Sequence, residues 1–99
     1  MKELHFHSSL KQDTYLEGIN LTYRLHDRTH EFAVDDIVSI VIDDDPPYKS
    51  GQARIVAIEL LHGDEVSDII LDYLELYYGT QTRDAAHVTV ISYTREGVA

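Results

Sequence analysis

Two β-branched runs joined by one proline-bearing turn limit this fold more than any other feature. Residues 36–43, inside "FAVDDIVSIVID", carry Ile37, Val38, Ile40, Val41 and Ile42 almost without interruption. That density predicts a strand buried on both faces or lying in a tightly curved sheet. Residues 52–61, "QARIVAIELL", form a second such run, with Ile55 and Ala57 facing one way and Val56 and Ile58 the other. Between them stands "DDPPYKSG". Pro46 and Pro47 cannot donate to a ladder, and Gly51 tolerates a positive φ. The expectation is an antiparallel hairpin with a long tip carrying Tyr48 and Lys49.

The remaining elements fall around that hairpin. "ELHFH", residues 3–7, alternates Leu4 and Phe6 against His5 and His7, as a strand does. In "SSLKQDTYLEG", Ser9 and Gln12 have capping-box spacing and Gly18 marks a helix stop. This short helix would bury Leu10, Tyr15 and Leu16. "NLTYRLH" sets Leu21, Tyr23 and Leu25 on one face and Asn20, Thr22, Arg24 and His26 on the other. "DRTHE" reads as a loop. Residues 64–79, "DEVSDIILDYLELYYG", form the strongest predicted helix, with Asp64 as N-cap and Gly79 after its end. Val66, Ile69, Ile70, Tyr73, Leu74 and Tyr77 recur at helical spacing on its apolar face. Leu71, Leu76 and Tyr78 widen that face and suggest either burial on two sides or a homodimer contact through this helix. "HVTVISY", residues 87–93, is the last strand, and "TREGVA" is expected to fray. The order is β-α-β-β-β-α-β. It predicts one α+β domain over residues 1–99, built on a small curled antiparallel sheet or barrel.

Charge narrows the functional classes. Eight Lys and Arg oppose eighteen Asp and Glu, a formal net charge of −10. Such a body repels a phosphate backbone at long range and argues against duplex-DNA binding. It also predicts docking of the acidic clusters at 35–36, 43–45 and 64–75 on a basic protein partner. No cysteine is present, which removes disulfides, thiolate catalysis and Cys-ligated zinc. Apolar runs are too short to span a membrane, and the start lacks the apolar core of a signal peptide. The expected location is cytoplasmic.

Motifs with built-in chemistry are few. His26 and His30 are four apart, but they converge only if "HDRTH" is helical, and the flanking alternation points to a strand end. His5 and His7 share a strand face, yet a third ligand must come from elsewhere. No metal site or cofactor is expected. The serines lack a nucleophile-elbow context, and no glycine-rich phosphate loop precedes a helix. These residues carry no enzyme signature.

"YLEGINLTYRLHDRTHEFAVDDIVSIV" resembles the ASCH family, a branch of the PUA-like barrel superfamily. Gly18 stands at the family glycine and Arg24 at its strand arginine. "LHDR" looks like the polar loop, and Asp35-Asp36-Ile37 occupies the Gly-Asp-hydrophobic entry to the next strand. About 20 residues carry this motif-like similarity, while the order of elements extends it along most of the chain. The family lysine is here Asn20, the glutamate position falls near Thr22, and the spacing from Gly18 to Arg24 is one residue shorter. Some ASCH members are amidohydrolases acting on acetylated cytidine through that lysine, a threonine and a glutamate. An amide at position 20 has no comparable titration. Thr22 keeps a hydroxyl, and Glu65 or Asp64 stands for the acid by position only.

The resemblance implies a groove with Asn20, Thr22, Arg24, His26 and Arg28 at its edge, where an arginine fork reads phosphate, carboxylate or base edges. Tyr48 and Lys49 would stack on a base. Three functions follow, in this order. The first is a module binding a nucleotide, a modified nucleoside or short single-stranded RNA. The second is an acidic protein-interaction module or small inhibitor. The third is a nucleoside amidohydrolase.

Overall fold

The computed structural model describes residues 1–10, 14 and 17–96. Five strands, β1 (Glu3–His7), β2 (Ile19–Leu25), β3 (Ile37–Asp43), β4 (Tyr48–His62) and β5 (His87–Glu96), form one sheet. Among the described residues one α-helix, α1 (Asp68–Tyr78), follows β4. Strand order is β1-β3-β4-β5-β2. The domain is α+β, with the sheet curled into a half-barrel.

The sheet is mixed rather than antiparallel. β1 runs parallel to β3, with Leu4 opposite Ile40 and Phe6 opposite Ile42, while the other three pairings are antiparallel. Parallel pairs favour burial on both faces, and residues 38–42 of β3 are all buried.

Curvature originates in β4. Its ladder with β3 shifts between Ile40 and Val41, so Ser50 is the extra residue. Its ladder with β5 shifts between Ile55 and Ala57, so Val56 is extra. Each bulge bends the strand and increases its twist. At the first, Gly51 has φ 144°, and a Cβ there would lie 2.5 Å from Arg95 Nη2. That guanidinium donates to the carbonyls of Ser50 and Thr14, which fastens the bulge. The bulge also corrects the expected hairpin tip. Pairing begins at Tyr48, opposite Ile42, so Tyr48 and Lys49 are strand residues.

Two cores result. The first lies inside the curl, around Leu4, Phe6, Ile40, Ile42, Ile55, Ile91 and Tyr93, with Leu10 and Phe32 packed on its margin. The second joins α1 to the sheet through Leu25, Val66, Leu74 and Val88. Burying each of these side chains contributes about 1.5–3 kcal/mol before entropy is counted.

The helix starts later and faces differently than its periodicity predicts. Ser67 is the N-cap and accepts from the Ile70 amide at 3.4 Å. Asp64 lies in a preceding 3-10 turn, Gly63–Glu65. Leu74 is buried with Ile70, Leu71 and Tyr78 beside it, whereas Ile69 is 82% and Leu76 78% exposed. The sheet covers a narrower stripe than the helix offers. Gly79 closes α1 with φ 72°.

The predicted first helix reduces to a 3-10 turn, Ser8–Leu10, over the described residues. Gln12, Tyr15 and Leu16 lie outside them. The final strand continues through Glu96, so Thr94 and Arg95 are paired rather than frayed. Positions 97–99 lie outside the description. No helix among the described residues is long and apolar enough to cross a membrane.

Candidate functional site

β1 and β2 end the sheet on its two sides, so each has one unpaired edge. The curl brings both edges to a common cavity of about 640 Å³, roofed by α1. Residues 5–7 of β1 and 20–24 of β2 line it consecutively. Side chains alternate across a strand, so consecutive lining places the cavity along the strand edges themselves.

Cross-strand register sets which side chains point inward. Asn20 lies opposite Tyr93, Thr22 opposite Ile91 and Arg24 opposite Thr89. They therefore share the face of Ile91 and Tyr93, which belong to the core inside the curl. Tyr23 and Leu25, opposite Val90 and Val88, take the other face and pack toward α1. The polar row of "NLTYRL" thus points into the hollow.

Arg24 is the central charge. Its guanidinium sits 4.9 Å from the Phe6 ring centroid, in cation–π contact, and its Nε donates to Thr22 Oγ1 at 3.1 Å. Desolvation lowers its pKa, yet an arginine stays protonated in water-accessible ranges of pH. Among the described residues Arg28, Arg54 and Arg83 each form an ion pair with a carboxylate; Arg24 forms none.

Aromatic side chains build the walls. Tyr73 and Tyr77 meet edge to face at 5.2 Å, and Tyr77 meets His7 likewise at 5.3 Å. Phe6 and Tyr93 form the floor, 5.7 Å apart. The Ser9 amide donates to His7 Nδ1 at 3.1 Å, so the neutral ring carries its hydrogen on Nε2. Ser9 Oγ lies 2.8 Å from the same nitrogen and 3.3 Å from Tyr77 Oη, which ties β1 to α1 at the mouth.

His5, on the rim, lies between two acids. Its Nδ1 is 2.6 Å from Asp43 Oδ1 and its Nε2 3.1 Å from Glu3 Oε1. The hydrogen bond to Asp43 raises its pKa most; desolvation opposes that rise, and the contact with Glu3 adds a smaller one.

A smaller cavity of about 200 Å³ adjoins the first and shares His5, Arg24 and Tyr78 with it. Glu3, Arg28, Glu31 and Phe32 complete its lining together with Leu4. Arg28 Nη1 contacts Glu31 Oε2 at 3.2 Å, and Arg28 Nε donates to the Leu25 carbonyl at 2.8 Å.

The seven residues singled out from sequence are dispersed by the fold. Asn20, Thr22 and Arg24 line the large cavity, and Arg28 the small one. His26 leaves β2 at φ 70° and is exposed, bridging backbone to His87. Tyr48 and Lys49 are exposed and line neither cavity. His5, His7, Tyr73 and Tyr77 were missed as lining residues. The surplus of tyrosines in "YLELYY" was their signal, since a helix packing on one sheet does not need so wide a face. No group of three or more His, Asp or Glu side chains suited to a metal ion occurs among the described residues.

Compared with known proteins, the chain matches no family model, no curated protein and no solved structure.

Proposed function

We propose that this protein binds a small ligand with a flat aromatic body, of the nucleotide or modified-nucleoside class. The observation that carries the reading is Arg24: a desolvated cation with no carboxylate partner among the described residues, in a cavity walled by tyrosines. A volume of about 640 Å³ suits a compact ligand rather than a macromolecule. Tyrosine faces stack on bases without regard to sequence, while an arginine fork holds an oxyanion. The inward amide of Asn20 and hydroxyl of Thr22 supply polar contacts that fix orientation. A longer RNA would meet the acidic exterior, net −10, so one nucleotide unit is the better occupant.

The acidic docking module has less in its favour. Asp68, Asp72 and Glu75, the acids of α1, gather around a single cation, Arg83, which offsets one of their three charges and draws their side chains onto one point.

Titration calorimetry of the full chain at low salt tests the proposal. Adenosine, cytidine and their 5′-monophosphates are the probes. At least one should bind with a Kd of roughly micromolar to millimolar, and Arg24→Ala should weaken it at least about tenfold. Absence of heat from all four probes at millimolar concentration sinks the reading.

A further inference from the structure

The two cavities meet at Arg24, and their linings differ in kind. The larger is aromatic; the smaller carries Arg24 and Arg28 with Glu3 and Glu31. In the smaller one, Glu31 is engaged by Arg28 and Glu3 by His5. Arg24 is the guanidinium of this lining that forms no ion pair among the described residues. Arg28 stands close enough for its charge to act unfavourably on Arg24. Two guanidinium groups thus line one small cavity, one of them already paired with Glu31. Like charges so placed are stabilised by an anion between them.

Resting on the ligand reading above, we propose that the smaller cavity is a phosphate subsite, bridged by Arg24 and Arg28, and that the base of a nucleoside monophosphate occupies the larger cavity. A cavity of about 200 Å³ is ample for a phosphate group. A tetrahedral phosphate engages two forks approaching from different directions, whereas a carboxylate saturates one fork. Glu31 then acts as an internal competitor: it holds Arg28 in the empty site and yields it when phosphate enters. The shared wall, with Arg24 and Tyr78, places the phosphate next to the aromatic chamber, as the ester link requires.

The test compares each nucleoside with its 5′-monophosphate, adding inorganic phosphate and an aromatic carboxylate (indole-3-acetate) as probes. The monophosphate should bind at least about tenfold more tightly than the nucleoside, the scale of one charge-assisted pair. Arg28→Gln should erase most of that advantage and leave nucleoside affinity unchanged. Glu31→Gln should strengthen binding of both monophosphate and inorganic phosphate, while Glu59→Gln, a control for net charge on exposed β4, should not. Three outcomes overturn the subsite alone: nucleoside and monophosphate binding equally, Arg28→Gln weakening both alike, or the carboxylate outcompeting the monophosphate. If neither nucleoside nor monophosphate binds, the ligand reading itself fails with it.

Discussion

Arg83 lies beside α1 within reach of Asp68, Asp72 and Glu75, on an exposed surface. Arg24 lies inside the curl against Phe6, its Nε donating to the Thr22 hydroxyl. Both belong to a chain with eighteen acids and eight bases, where a carboxylate is easily placed near any cation. Arg83 follows that expectation. Its pKa is raised by hydrogen bonds to Glu75 and then Asp68. Arg24 departs from it, and its pKa is lowered by desolvation. Water and salt screen the first cluster, so it adds little to stability. The second is half-buried in the cavity wall and screened less, so part of the cost of desolvating a cation without a paired carboxylate persists. A folded chain tolerates such a cost where a ligand later relieves it.

The comparison breaks most severely if the curl is lost, because Arg83's cluster needs only α1 and the 3-10 turn after it, Gly79–Asp84, whereas Arg24's surroundings rest on the bulged β4. Gly51→Ala forces a side chain onto Arg95 at a φ that L residues rarely adopt. It should destabilise the protein by about 1–3 kcal/mol, read from urea unfolding, and broaden NMR signals of residues 20–24 before those of α1. An unchanged midpoint would remove the bulge from the account.

A paired substitution gives a smaller, sharper effect. Arg24→Met keeps volume and contact with Phe6 while deleting the desolvated charge. It should raise stability by about 1 kcal/mol and abolish ligand binding. Arg83→Met should lower the unfolding midpoint slightly at low salt and not at all at high salt, leaving binding intact. If both substitutions destabilise the chain alike, the two arginines are not the opposites described.

The smallest effect is a pH dependence at the rim. His5 has a raised pKa in the folded state, so its imidazolium contributes stability fully below about 6.5, its unfolded value. That contribution fades as pH rises through the folded value. The unfolding midpoint of wild type should therefore fall slightly more than that of His5→Gln between pH 6 and 8. Parallel slopes would assign the Asp43 contact no role.

Strands and helix were legible because each buries one face, and burial imprints its period on the sequence. The alternation in "ELHFH" and "NLTYRL" marked β1 and β2 to within a residue. Pairing left no such trace: nothing in Leu4 or Phe6 says that β3 lies beside them in parallel. Bulges were equally silent, since Ser50 and Val56 are ordinary strand residues whose offset exists only relative to a partner. Pro46 and Pro47 drew the turn out too far and hid the start of β4. Asp64 obscured Ser67 as the N-cap, both being good capping residues three apart. At the cleft, inward polarity of Asn20, Thr22 and Arg24 was readable as a row but not as the interior one. Tyr73 and Tyr77 obeyed the core periodicity of a helix and instead face a cavity.

Because β4 takes its bends from displaced backbone rather than from the side chains that fill the chamber, shape and chemistry are separately specified. Positions such as Asn20, Thr22 and Tyr73 can be exchanged without unrolling the curl. A library randomised there would sample many recognition specificities on one unchanged scaffold.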